Sequence, residues 1–253
     1  MKDCKHLDMM GLEIEAGWKE TKSNLTFDGS LRNGDFYNST SIGELVSKPF
    51  DDKDELFKYM DENWPDEVTQ KCGFHIHTSF KNINHYNELM NKKFYNYFLL
   101  EMEKWGNEYN CTNKNFWSRL SGANNFCEKK FNPDAQTIFS GKDPIRYTHL
   151  NYCYKMHKTI ECRLFPTFTE VKTAKSAVDA LINCFENYLE QNPPREIFKS
   201  KAVKVTNTPE TYREETEDDV FIVELENEDI EKKLPVFNLF CIDTKNINNK
   251  AEF

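Results

Sequence analysis

Three short stretches of this chain alternate charged or imidazole side chains with apolar ones at a period of two. They are Leu12-Glu13-Ile14-Glu15, Phe74-His75-Ile76-His77-Thr78-Ser79 and Thr159-Ile160-Glu161-Cys162-Arg163-Leu164. Successive side chains of a strand point to opposite faces of its sheet, so each stretch predicts a strand with one apolar and one polar face. Any half-solvated antiparallel strand can show such a pattern. Here the polar positions hold glutamate, histidine and arginine, not the usual mixture of serine, threonine and lysine.

Carboxylates gathered on neighbouring strands repel, and burial raises the cost. A divalent cation cancels it. Carboxylate oxygens with one imidazole suit Mg²⁺ or Mn²⁺. Arginine beside such a cluster suits phosphate, which a guanidinium grips through two parallel hydrogen bonds. A metal- and ATP-using enzyme is the reading these residue types favour.

The rest of the chain fits an α+β domain. A further strand is expected over Gly43 to Val46, and a helix from the Asp52–Glu55 capping box to about Glu62. Residues 88–105 carry Met90, Phe94, Tyr97, Phe98, Met102 and Trp105 at helical spacing. Residues 106–145 are asparagine-rich and poorly patterned. Another helix is expected after a Thr167–Glu170 capping box, its stripe running from Val171 to Leu189 and its end at Asn192-Pro193-Pro194. These prolines suggest a catalytic domain over 1–192 and an extension over 193–253, packed on it, with strand-like runs at Val220 to Leu225 and Val236 to Ile242.

Charge and cysteine usage exclude several functions. The net charge is -9, and residues 206–233 hold 11 acidic against 3 basic residues, so the remainder is close to neutral. No basic face for nucleic acid is visible. No apolar run is long enough to span a bilayer, and the first residues lack the apolar core of a signal peptide. A cytoplasmic protein with reduced thiols is expected. The 8 cysteines include no CxxC pair and read as small core hydrophobes.

Several segments resemble the carboxylate–amine ligases, the superfamily of glutamine synthetase and the glutamate–cysteine ligases. Gly11-Leu12-Glu13-Ile14-Glu15 is similar to their opening G-x-E-x-E strand. Asp28-Gly29-Ser30-Leu31, then Gly43-Glu44-Leu45-Val46-Ser47-Lys48-Pro49, resembles their D-G-S … G-x-E-x-V-S-x-P segment. Gly73 to Ser79 resembles G-x-H-x-H-x-S. Arg146, Leu150-Asn151 and Thr159 to Phe165 resemble R … L-N … T-x-E-x-R-x-F. Together these cover about residues 11–190, and the small amidoligases of phages and bacteria are the nearest pattern.

The resemblance implies a glutamine synthetase-like antiparallel sheet, helices packed on one face and the active site on the other. It implies Glu13, Glu15, Glu44, His75 and Glu161 as ligands of Mg²⁺ or Mn²⁺. It places His77 against phosphate or substrate, and Arg163, Arg146, Arg119 and Asn151 on the nucleotide, with Arg163, Arg146 and His77 taking part in catalysis. The substrates would be ATP, an amino-acid or peptide carboxylate and an amine. Glu44 shares strand parity with Ile42 and Val46, so a bulge or strand end is expected to re-aim it. Other readings stay open. The HxH pair and glutamates suit a metal-dependent hydrolase, with His149 the best spare ligand. The scaffold also suits a non-catalytic viral interaction protein, or phosphoryl transfer of the guanidino-kinase kind.

Overall fold

The computed structural model describes residues 1–133, 147–153 and 157–194. Among them six strands form one antiparallel sheet: β1 (Leu7–Trp18), β2 (Leu25–Thr26), β3 (Ser41–Val46), β4 (Gly73–Phe80), β5 (Leu150–Tyr152) and β6 (Ile160–Pro166). Their order across the sheet is β2-β3-β1-β4-β6-β5. The helices are α1 (Lys53–Asn63), α2 (Ile83–Leu89), α3 (Lys92–Glu108), α4 (Lys114–Ser121) and α5 (Val171–Gln191).

The period-two pattern decides which face the helices cover. Leu12, Ile14, Leu45, Phe74, Ile76 and Cys162 are buried in a single core with apolar residues from all five helices. Phe94 of α3 stacks on Phe185 of α5, and Phe116 of α4 stacks on Phe165 of β6. The seven cysteines among the described residues are free thiols, and all but Cys4 are buried, as small apolar residues would be. No helix among the described residues is long and apolar enough to cross a membrane.

Four local expectations change. The helical stripe over 88–105 is broken at Met90-Asn91, where the Asn91 side chain accepts from the Phe94 amide and starts α3 afresh. The unpatterned region after 106 contains α4, which ends on Gly122 at φ 79, a left-handed position suited to glycine. Thr167 does not cap α5, whose N-cap is Glu170 without a side-chain bond. The Thr167 hydroxyl instead contacts two backbone carbonyls, Glu15 O at 2.9 Å and Gly73 O at 2.8 Å, tying β6 to β1 and β4. Glu44 needs no bulge: Leu45 is the core-facing residue of β3, and Glu44 lies directly opposite Glu15 on the face away from that core. The strands expected within 220–242 lie outside the described residues, as does Arg146.

Candidate metal centre

Antiparallel register carries the polar residues across the face of the sheet away from the helical core. Glu15 pairs with Glu44, Glu13 with His75, His77 with Glu161, and Glu161 with Asn151. Residues paired across neighbouring antiparallel strands share a face, so five strand residues from the alternating segments meet Glu44 and Asn151 in one row. A bulge lies between the Phe74–Phe165 and Ile76–Cys162 pairs. It sets Arg163 and Leu164 together against His75 and re-aims Arg163, as an extra residue in one strand does.

Three donors converge at the centre of this row. His75 Nδ1 lies 3.2 Å from Glu13 Oε2 and 3.5 Å from Glu161 Oε1. Ligand atoms of Glu13, His75 and Glu161 all lie within 4.8 Å of one another, the single such group among the described residues. Two carboxylate oxygens and one imidazole nitrogen fit a divalent cation of the Mg²⁺ or Mn²⁺ class. His75 Nε2 is 4.0 Å from Glu15 Oε1, and Glu15 Oε2 accepts the Gly73 amide at 2.6 Å. A Cβ on Gly73 would stand 3.0 Å from Glu15 Oε2 and closer still to His75 Nε2, so only glycine lets these two side chains pack there.

The charges are far from their ordinary state. Burial and the neighbouring Asp28 push Glu15 up to about 8. Burial and the charge of Glu13, to which it is hydrogen-bonded, push Glu44 up to about 8. Burial works the same way on Glu13, but hydrogen bonds from His75 and His77 outweigh it and hold Glu13 below the carboxylate range. Burial also opposes ionisation of Glu161, where Arg163 above all, then His77 and His75, prevail and lower it. His75 falls to about 4 through burial and the charge of Arg163. Burial opposes charge on His77 too, yet contacts with Cys153, Glu13 and Glu161 raise it well above an ordinary histidine. Opposed shifts within one cluster are found in functional sites and in buried ion-pair networks alike.

Arg163 is buried and pairs with Glu161 Oε1 through one terminal nitrogen, which also lies 3.4 Å from His75 Nδ1. The guanidinium therefore touches two of the three converging groups, and a cation entering there competes with it. Among the described residues Arg163 Nε and Asn151 Oδ1 are buried without hydrogen-bond partners, while Asn151 Nδ2 donates to Glu161 Oε2 at 2.7 Å. Unpaired polar atoms beside a charged cluster are costly unless a ligand meets them.

Two sequence candidates take other roles. Arg119 is almost wholly buried on α4, and its terminal nitrogens donate to Arg163 O at 3.0 Å and Cys72 O at 3.3 Å. It pins α4 to the sheet end instead of facing the row. His149 has both ring nitrogens engaged, with Tyr95 Oη at 2.8 Å and Arg119 O at 2.7 Å, so it is no spare ligand. Asp28 was not singled out as a ligand, yet it is hydrogen-bonded to Glu15. The Asp28-Gly29-Ser30 turn was its signal, and Asp28 Oδ1 accepts the Ser30 amide at 2.6 Å.

A cavity of about 540 Å³ adjoins the cluster. Glu13 and His77 form the wall it shares with the cluster, and Met9, Val46, Phe80, Ile83 and Tyr86 make much of the rest apolar. Comparison with known proteins gave no matching family model, no matching curated sequence and no matching solved structure.

Proposed function

We propose that this protein is an ATP- and Mg²⁺-dependent carboxylate–amine ligase that forms an amide bond through an acyl phosphate. The observation that carries the reading is the row itself. Three strands place two carboxylates and an imidazole around one point, with three more carboxyls, an arginine and an asparagine beside it. The ordered ligase-like motifs support the same reading and imply an amino-acid or peptide acid.

Glu13 Oε2, His75 Nδ1 and Glu161 Oε1 would hold the cation, which when bound neutralises phosphate charge. Glu15, Asp28 and Glu44 supply further oxygens around it. The apolar cavity beside Glu13 and His77 suits the base of the nucleotide. With Glu161 holding a cation, the Arg163 fork would be free for phosphoryl oxygens, and Nε, unpartnered among the described residues, would gain a partner there. In the reaction a carboxylate oxygen attacks the terminal phosphorus of ATP and ADP leaves. The amine then attacks the acyl carbon, and inorganic phosphate leaves.

The test is to incubate the protein with ATP, Mg²⁺ and mixtures of amino acids and peptides. ADP and phosphate should form only with an acid present, together with a product lighter than its two parents by one water. AMP and pyrophosphate would replace the mechanism with adenylation. A second reading rests on the triad alone: three protein ligands with an open position also describe a hydrolytic zinc centre. Cleavage of amides without ATP would decide for it.

A further inference from the structure

We propose that Cys153, His77 and His157 form a second, softer metal site, of the zinc class, on the wall of the cavity and separate from the carboxylate centre. Cys153 Sγ lies 4.0 Å from His77 Nδ1. Two ligands of one tetrahedral zinc, at about 2.3 Å for sulfur and about 2.0 Å for nitrogen, stand roughly 3.6 Å apart. The pair is thus within a small adjustment of that spacing. Cys153 and His157 are spaced C-x3-H, and the His157 amide donates to the Cys153 carbonyl at 2.8 Å. The His157 ring lies edge-on to His77, with centroids 5.9 Å apart. His157 is exposed and brings its nitrogen to the pair by side-chain rotation.

The other nitrogen of His77 is already held as a zinc ligand requires. Nε2 lies 3.0 Å from Glu13 Oε1, the carboxylate oxygen that His75 does not use. A carboxylate on the far side of a ligating imidazole fixes the ring and strengthens it as a donor. This contact turns Nδ1 toward Cys153. Thr159 Oγ1 stands against both donors, 3.0 Å from His77 Nδ1 and 3.3 Å from Cys153 Sγ, and has to give way or remain beside the ion. The Cys153 thiol also donates to Thr159 O at 3.4 Å. Lys158, at φ 59, takes a left-handed conformation that is unusual for lysine and turns the chain between His157 and Thr159. The thiol and the imidazole give up their protons on binding, as ligands of zinc do. An ion here narrows the cavity, because His77 and His157 both line it.

The experiment uses the full chain. Zn²⁺ is titrated against a chromogenic chelator, and Co²⁺ or Cd²⁺ is added separately to follow the thiolate-to-metal charge-transfer band. One ion per chain with a thiolate band is expected. Cys153→Ser should abolish the band, and His157→Ala, which removes a direct ligand, should weaken zinc binding by more than the roughly 10–100-fold lost with an outer partner of a ligand. Glu161→Gln, which disables the carboxylate centre, should leave the band in place. His157 is exposed, so His157→Ala probes the site in a chain whose packing is untouched. A band that survives Cys153→Ser, absence of any band, or zinc affinity that depends on Glu161 but not on Cys153 and His157 would overturn the proposal.

Discussion

Glu15 and Glu44 stand directly opposite each other on adjacent antiparallel strands, with both carboxyl groups on the face away from the helical core. Each is pushed up to about 8, by burial first and then by Asp28 and Glu13 respectively. A carboxyl whose pKa is higher in the folded than in the unfolded chain stabilises the fold fully below its ordinary value of 4.5 and ceases to as pH rises through 8. His77, also raised, adds to the loss above 6.5, whereas His75, lowered to about 4, acts only below 6.5. In chelator the melting temperature should therefore fall from pH 6.5 to 8. Millimolar Mg²⁺ or Mn²⁺ should raise it, and by more at pH 8 than at pH 6.5. Calorimetry across this range checks the sign, and a flat profile in chelator would refute the charge assignment.

Glu161 and Arg163 form a buried ion pair. Removing one partner of such a pair costs about 3–5 kcal/mol, because the other charge stays buried. Glu161→Gln should lower stability in that range and also abolish cation binding. Adding Arg163→Met should recover much of the stability and none of the binding. Urea unfolding with Mn²⁺ titration separates the two effects. Recovery of binding in the double variant would show that Glu161 acts through Arg163 alone.

Gly73→Ala places a methyl against Glu15 Oε2 and His75 Nε2. Overpacking of this kind costs about 1–3 kcal/mol. Cation affinity should fall as well, since both displaced side chains belong to the centre. Gly34→Ala is the control, because a Cβ there meets nothing within 4 Å. Equal cation affinity in the two variants would contradict the packing described here.

Asn151 orients Glu161 through Nδ2 and offers an unpartnered Oδ1. Asn151→Leu should fold and lose about 10–100-fold in cation affinity, as groups that orient metal ligands do. Unchanged affinity would assign Asn151 to strand pairing only.

Much of this geometry was legible in the sequence because strand periodicity is rigid. Once Leu12, Ile14, Ile76 and Cys162 face a core, Glu13, Glu15, His75, His77, Glu161 and Arg163 must face the other way. What periodicity does not encode is register and the contacts made by single side chains. Glu44 joins the row without the expected bulge, because Ile42 and Val46 are not its apolar face: Val46 is 45% exposed and Leu45 is the core residue. The burial of Arg119 depends on α4, whose eight residues lie in an asparagine-rich stretch with little pattern. Thr167 resembled a helix cap because its spacing to Glu170 was right, but its hydroxyl found two strand carbonyls instead. Asp28 enters the cluster from outside the regular strands, where no period could place it.

A divalent cation and ATP should bind together on the face of the sheet away from the helical core. A crystal structure grown with Mn²⁺ and a non-hydrolysable ATP analogue, with anomalous data, decides this. An anomalous peak bounded by Glu13 Oε2, His75 Nδ1 and Glu161 Oε1 is expected, with phosphates against Arg163 and the base in the cavity walled by Met9, Val46 and Phe80. Manganese or nucleotide bound elsewhere, with these three side chains still joined to one another and to Arg163, would contradict it.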